Sequence, residues 1–204
     1  MTSNEHISSK QPLLYGLVLA GGKSVRMGHD KGLIQWHGKE QRYYMADMLQ
    51  GLCSDVFISC RQEQQQDIAT EYKTLTDTFE GAGPLIAILS ALKEKPDSAW
   101  LVVACDLPLL DTVTLQYLIQ NRDATCIATT FESPFDHLPE PLITIWEPSS
   151  FEVLLNHTSE GFKCPRKALI RNSGRVKIMI ATNPNALKNA NTPDDAAEVK
   201  ELIR

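Results

Sequence analysis

Seven consecutive residues, Ala99-Trp-Leu-Val-Val-Ala-Cys105, carry no charged side chain. The run is far too short to cross a membrane as a helix, and it does not alternate as a strand with one wet face would. It reads as a central parallel strand covered on both sides, which requires helices above and below a sheet. The surrounding chain supplies the remaining parts. Tyr15 to Leu19 is a second apolar run that ends in Ala20-Gly21-Gly22. Asp55 to Cys60, Thr74 to Thr76, Thr125 to Thr130, Pro139 to Trp146 and Val176 to Ile180 have the length and β-branched content of further strands.

Between these runs lie segments of helical period. Gln41 to Leu52 places Tyr44, Met45, Met48, Leu49 and Leu52 on one face. Gln62 to Tyr72 is polar and is expected to be helical. Pro84 opens a helix with Leu85, Ile86, Ile88, Leu89 and Leu92 facing inward, and Lys93 to Pro96 stop it. Asp111 caps a helix through Gln120. Helices are also expected after Pro148, over Cys164 to Asn172, and over Pro193 to Ile203. A β-α-β-α rhythm of this kind predicts an α/β fold with a mostly parallel sheet and helices on both faces. Residues 1–12 are polar and are expected to form a loose tail; residues 13–204 are read as one domain.

Composition narrows the function classes. With 43% hydrophobic and 22% charged residues the chain is an ordinary globular one, and its net charge of −5 argues against a nucleic-acid partner. No apolar stretch approaches the roughly 18 residues of a membrane span, and the start lacks the apolar core of a signal peptide, so the cytoplasm is the expected location. Cys53, Cys60, Cys105, Cys126 and Cys164 are odd in number and form no C-x-x-C pair. They are expected to be buried small hydrophobes rather than disulfides or a zinc site.

The chemistry concentrates after the first strand, in Leu19-Ala-Gly-Gly-Lys-Ser-Val-Arg-Met-Gly-His-Asp-Lys31. Gly21, Gly22 and Gly28 let backbone N–H groups approach a polyphosphate, and Arg26 and Lys31 add positive charge. The segment is not a Walker A loop, because the position that needs the first glycine is Leu17. Nor is G-x-G-x-x-G present, which disfavours a dinucleotide-dependent oxidoreductase. Asp106 follows the buried run directly. A carboxylate at the exit of a central strand suits a hard cation such as Mg²⁺, which takes one or two carboxylates plus phosphate oxygens and water.

The pattern L-A-G-G-x-S-x-R-M-G-x-D-K over residues 19–31 resembles the signature of nucleotidyltransferases, and the short spacing from Gly22 to Lys31 is nearest to the molybdenum cofactor guanylyltransferases. The resemblance continues at Asp77 ahead of Gly81-Ala-Gly-Pro-Leu85, at Cys105-Asp106-Leu107-Pro108, at Glu140-Pro141-Leu142 and at Asn189-Ala-Asn-Thr-Pro-Asp194. It implies a Rossmann-like sheet of the nucleotide-diphospho-sugar transferase type. It implies a nucleotide site at Leu19, Ala20, Gly21, Gly22, Gly28, Lys31, Asp77, Gly83, Pro84 and Asp106, with Arg26, Lys31 and Asp106 catalytic and Asp106 holding Mg²⁺. It implies an acceptor side at Pro141 and Asn191, although Asn191 also sits where a helix start needs a cap.

The expected substrates are GTP and molybdopterin or the molybdenum cofactor. Transient contacts with cofactor-delivery proteins or molybdoenzymes are expected, and no nucleic-acid or membrane partner. One departure concerns the base. Family members often carry asparagine after the second strand, where this chain reads Ser59-Cys60-Arg61. CTP therefore stays open as the nucleotide, and a non-catalytic nucleotide-binding module is the reading from another class. His29 and His37 are expected to be solvated side chains. Lys163, Arg166, Lys167 and Arg171 are expected to form a basic solvated helix face, with an anion-binding patch as the alternative.

Overall fold

The computed structural model describes residues 11–20 and 31–203, with only the backbone of Lys31 and Pro193. The strands are β1 (Leu14–Leu19), β2 (Val56–Cys60), β3 (Lys73–Thr76), β4 (Ala99–Ala104), β5 (Ala128–Glu132), β6 (Pro139–Trp146) and β7 (Val176–Met179). The helices are α1 (Gln41–Gln50), α2 (Pro84–Glu94), α3 (Thr112–Gln120), α4 (Ser150–Ser159), α5 (Pro165–Arg171) and α6 (Pro193–Leu202). All seven strands form one sheet in the order β3-β2-β1-β4-β6-β5-β7.

β1 to β4 are mutually parallel, with Leu19 opposite Ala104 at their carboxyl ends. β6 runs antiparallel to both of its neighbours, and β7 is parallel to β5. Six strands thus share one direction and β6 opposes them. β4 is buried at every position, as its unbroken apolar run requires.

The sheet separates two cores. On one face lie Met45, Ala46 and Leu49 of α1 and Leu115 and Leu118 of α3, over Val18, Ile58, Leu101, Val103 and Phe131. On the other lie Leu85, Ile88, Leu89 and Leu92 of α2, Leu154 of α4, and Ala168 and Leu169 of α5, over Leu17, Trp100, Val102 and Trp146. Gly16 is the point of closest helix approach: a Cβ built there would meet Leu49 at 3.0 Å and Val56 at 3.2 Å.

The polar segment Gln62 to Tyr72 departs from the expected helix. It makes only a short 3₁₀ stretch, Gln62–Asp67, and then turns. The sequence offers no apolar stripe to hold a longer helix against the sheet. The backbone is tied elsewhere instead: Arg42 Nη2 donates to the Asp67 carbonyl at 2.9 Å, and the Ala69 N–H donates to the Tyr43 hydroxyl at 2.9 Å. Of the five cysteines, Cys60 and Cys105 are buried as expected, but Cys53 and Cys126 are half-buried and Cys164 is exposed; all five are free thiols. Burial pushes the Cys53 thiol up to about 12.

The end of the sheet where the parallel strands begin is closed by a buried ion pair. Arg122, after α3, donates from Nε and Nη2 to the two carboxylate oxygens of Glu147 at 2.6 and 2.8 Å, and its Nη1 donates to the Pro12 carbonyl at 2.9 Å. Both side chains are nearly inaccessible. The bidentate geometry and the third bond satisfy the guanidinium's fork, which a buried pair needs to offset its desolvation.

Candidate active site at the carboxyl ends of the strands

β1, β2, β3 and β4 all end on the same edge, and antiparallel β6 begins there. This is where ligands settle in open α/β sheets. Leu19 and Ala20 finish β1; Ala20 is buried, and its N–H donates to the Ser59 carbonyl at 3.1 Å, holding the root of the glycine segment against β2. Gly21, Gly22, Arg26 and Gly28 lie outside the described residues. Lys31 opens a 3₁₀ turn, Lys31–Leu33, that carries the chain toward α1.

Asp106 follows β4, which pairs directly with β1. Asp77 follows β3, at the far side of β2. The sheet order puts three inter-strand spacings, about 14 Å, between these two strand ends. Asp77 and Asp106 therefore follow strands that are not neighbours in the sheet. The Asp77 Oδ1 is buried and has no hydrogen-bond partner among the described residues. Burial raises its pKa above the usual carboxylate range.

Gly83 caps α2 with φ 106° and ψ 177°, a conformation that L residues avoid, and Pro84 occupies the first helical position. Both residues are exposed, and a Cβ on Gly83 would meet nothing within 4 Å. Backbone geometry, not crowding, requires glycine there.

On the other side of Asp106, the Ala190 N–H donates to the Asp106 carbonyl at 2.8 Å. This bond docks Asn189-Ala190-Asn191 against the end of β4. Asn191 itself is exposed, and its N–H donates to Asp195 Oδ2 at 3.0 Å. The capping task in this stretch falls to Thr192, whose hydroxyl accepts from the Asp195 N–H while Asp195 accepts from Thr192.

Pro141 is buried in the first turn of β6. Its strand start is held by a polar chain: Thr144 Oγ1 donates to Thr130 Oγ1 at 2.8 Å, and Thr130 Oγ1 donates to the Glu140 carbonyl at 2.6 Å. Arg166 then clamps the Glu140 carboxylate at 2.9 Å and Asp136 at 2.7 Å. In the basic segment Lys163, Lys167 and Arg171 are exposed as expected, and Arg166 alone is half-buried. Arg166 is bound by two acids, and Arg171 pairs with Glu160 at 2.7 Å. Two of the four cations of the alternative anion patch thus have acidic partners.

His37 differs from expectation in the same way. It is half-buried, stacks on Tyr44 with centroids 4.0 Å apart, and its Nε2 lies 2.8 Å from the Pro108 carbonyl. It ties the approach to α1 onto the loop after Asp106. His29 lies outside the described residues.

Among the described residues no three His, Cys, Asp or Glu side chains gather as a metal cage. A strand-end carboxylate such as that of Asp106 is of the donor type that Mg²⁺ takes alongside phosphates and water.

Comparison with known proteins decides the family. The model of the MobA-like NTP transferase domain matches residues 16–176. The chain belongs to this family. The MobA-like domain is 30% identical to a molybdenum cofactor guanylyltransferase of Pseudomonas aeruginosa, over 91% of this chain and 94% of that protein. It is 35% identical to a molybdenum cofactor biosynthesis bifunctional protein of Synechocystis; the match covers 93% of the chain but only 54% of that longer protein. The crystal structure of molybdopterin-guanine dinucleotide biosynthesis protein A from Archaeoglobus fulgidus superposes with a TM-score of 0.77 at 23% identity, covering 92% of this chain and 97% of that one. CMP:2-keto-3-deoxy-manno-octonic acid synthetase, solved with CTP, follows with a TM-score of 0.69 at 14% identity. The fold is that of nucleotide-diphospho-sugar transferases, and the MobA-like domain is a nucleotidyltransferase.

Proposed function

We propose that this protein transfers GMP from GTP to the terminal phosphate of molybdopterin or the molybdenum cofactor, forming the guanine dinucleotide and releasing pyrophosphate. The reading is supported by one arrangement above all. Asp106 stands at the edge shared by β1 and β4, with the glycine-segment root on one side and the Asn189–Asn191 segment bonded to its carbonyl on the other. Donor and acceptor phosphates can meet at that point.

In the transfer, a phosphate oxygen of the acceptor forms a bond to the α-phosphorus of the nucleotide, and the bond from that phosphorus to the oxygen bridging to the β-phosphorus breaks. The nucleophile is already ionised at neutral pH, so positioning and charge stabilisation carry the catalysis. Arg26 and Lys31 would neutralise the departing pyrophosphate, and Asp106 would hold Mg²⁺. That ion supplies electrostatic stabilisation of phosphate oxygens when bound. Leu19, Ala20, Gly83, Pro84 and Asp77 frame the nucleotide, and Pro141 and Asn191 face the acceptor.

The test is transfer to molybdopterin with GTP, CTP, ATP or UTP in turn, with and without Mg²⁺. Turnover with GTP and Mg²⁺ is expected. Turnover with CTP instead would keep the site and change the base, and turnover with none would overturn the reading.

A further inference from the structure

Gln41 is the first residue of α1 and is fully buried, yet neither atom of its carboxamide has a hydrogen-bond partner among the described residues. A buried amide left unmatched is costly, and such groups in folded proteins have a cause. The register of α1 on the sheet shows where this one sits. Leu49 lies over the paired residues Gly16 and Val56. α1 runs back against β1, and a helix turn rises about as far as two strand residues. Met45, one turn up, therefore falls over Val18 and Ile58, and Gln41, one turn further, over Ala20 and Cys60. Leu49, Val56, Met45, Val18, Ile58, Ala20 and Cys60 all belong to the same apolar core. Gln41 thus puts an unsatisfied amide at the top of an apolar column, under the end of β1 where the glycine segment starts. Its neighbour Arg42 is already committed, to Glu40 and to the Asp67 carbonyl.

We propose that Gln41 is a positioning residue of the nucleotide site, whose carboxamide gains its hydrogen bonds only when nucleotide binds at the end of β1. The free protein carries the cost of the unmatched amide, and the complex recovers it, so nucleotide affinity includes the difference. This inference rests on the reading of the site as an NTP site. It assigns to α1 a role in ground-state nucleotide affinity, not in the chemical step.

The experiment uses the full chain with Gln41→Leu, and Gln41→Met as a second variant that keeps the unbranched shape. Thermal midpoints are read with and without GTP and Mg²⁺, alongside steady-state transfer. Without nucleotide, both variants should melt about 2–4 °C above the wild type, because the unmatched amide is gone. The GTP-induced rise in midpoint should fall to less than half of the wild-type rise. KM for GTP should increase about tenfold while kcat changes less than about threefold, the signature of lost ground-state binding. Variants with the wild-type GTP-induced shift and KM would overturn the inference and leave Gln41 as packing. A wild type that responds to CTP alone moves the same comparison to CTP. A wild type that responds to no nucleotide brings down the site reading first, and the inference with it.

Discussion

The two ends of the sheet treat buried carboxyl and amide groups in opposite ways, although indole N–H groups unpartnered among the described residues, those of Trp100 and Trp146, lie toward the end where the parallel strands begin as well. At that end, Arg122 donates from all three of its nitrogens to Glu147 and the Pro12 carbonyl. At the carboxyl end, Asp77 Oδ1 and the Gln41 carboxamide are buried without partners among the described residues, and Gly83 holds a conformation reserved for glycine. The closed end contributes stability and specifies how α3, β6 and the entry to β1 meet. The carboxyl end keeps unpartnered groups and a glycine-only conformation beside the proposed nucleotide site. A protein can keep such an end only if the rest of the molecule over-determines it.

The comparison can be broken most forcefully at the closed end. Glu147→Ala leaves the Arg122 guanidinium buried without its counter-ion and should cost about 3–5 kcal/mol in chemical denaturation. The kcat of the protein that remains folded should stay unchanged. A comparable loss of kcat would mean that the two ends are not independent.

Asp106→Asn should do the reverse. Turnover should drop by about 100-fold or more, the scale of a lost electrostatic stabiliser, while the thermal midpoint moves little. Retained turnover would remove Asp106 from the catalytic role.

The smallest effect is expected at Asp77. Its folded pKa is raised by burial, so the native state binds this proton more tightly than the unfolded chain does. The ionised carboxylate then opposes folding at neutral pH, and that penalty fades as pH falls through the raised pKa toward the ordinary value near 3.8. Asp77→Asn should raise the midpoint by about 2 °C at pH 7, with the gain disappearing below about pH 4, and should weaken nucleotide binding. An equal gain at both pH values would show that charge is not its cause.

The parts of this contrast were unequally legible in the chain. The strand cores were readable because apolar runs such as Ala99 to Cys105 admit few alternatives, and Asp77 and Asp106 stand directly after two of them. The reversed direction of β6 was not readable, because its residues Pro139 to Trp146 look the same in either orientation. Direction is set by the neighbours a strand meets. Gln41 escaped notice for a related reason. A polar residue at a helix boundary reads as solvated, and only the folded structure shows that Gln41 and Arg42 at the start of α1 are buried. His37 and Arg166 likewise looked exposed until their distant partners, Pro108 and Glu140, were brought beside them.

The opposed run of β6 has an evolutionary consequence. Because β6 descends from the site edge, the chain reaches it through the exposed 133–138 turn, which closes on itself through the Ser133 N–H to the Leu138 carbonyl at 2.8 Å. In the proposed function the nucleotide is framed by β1 to β4, which contribute nothing to that turn, so a change in its length or composition can alter the acceptor side while the nucleotide half stays intact.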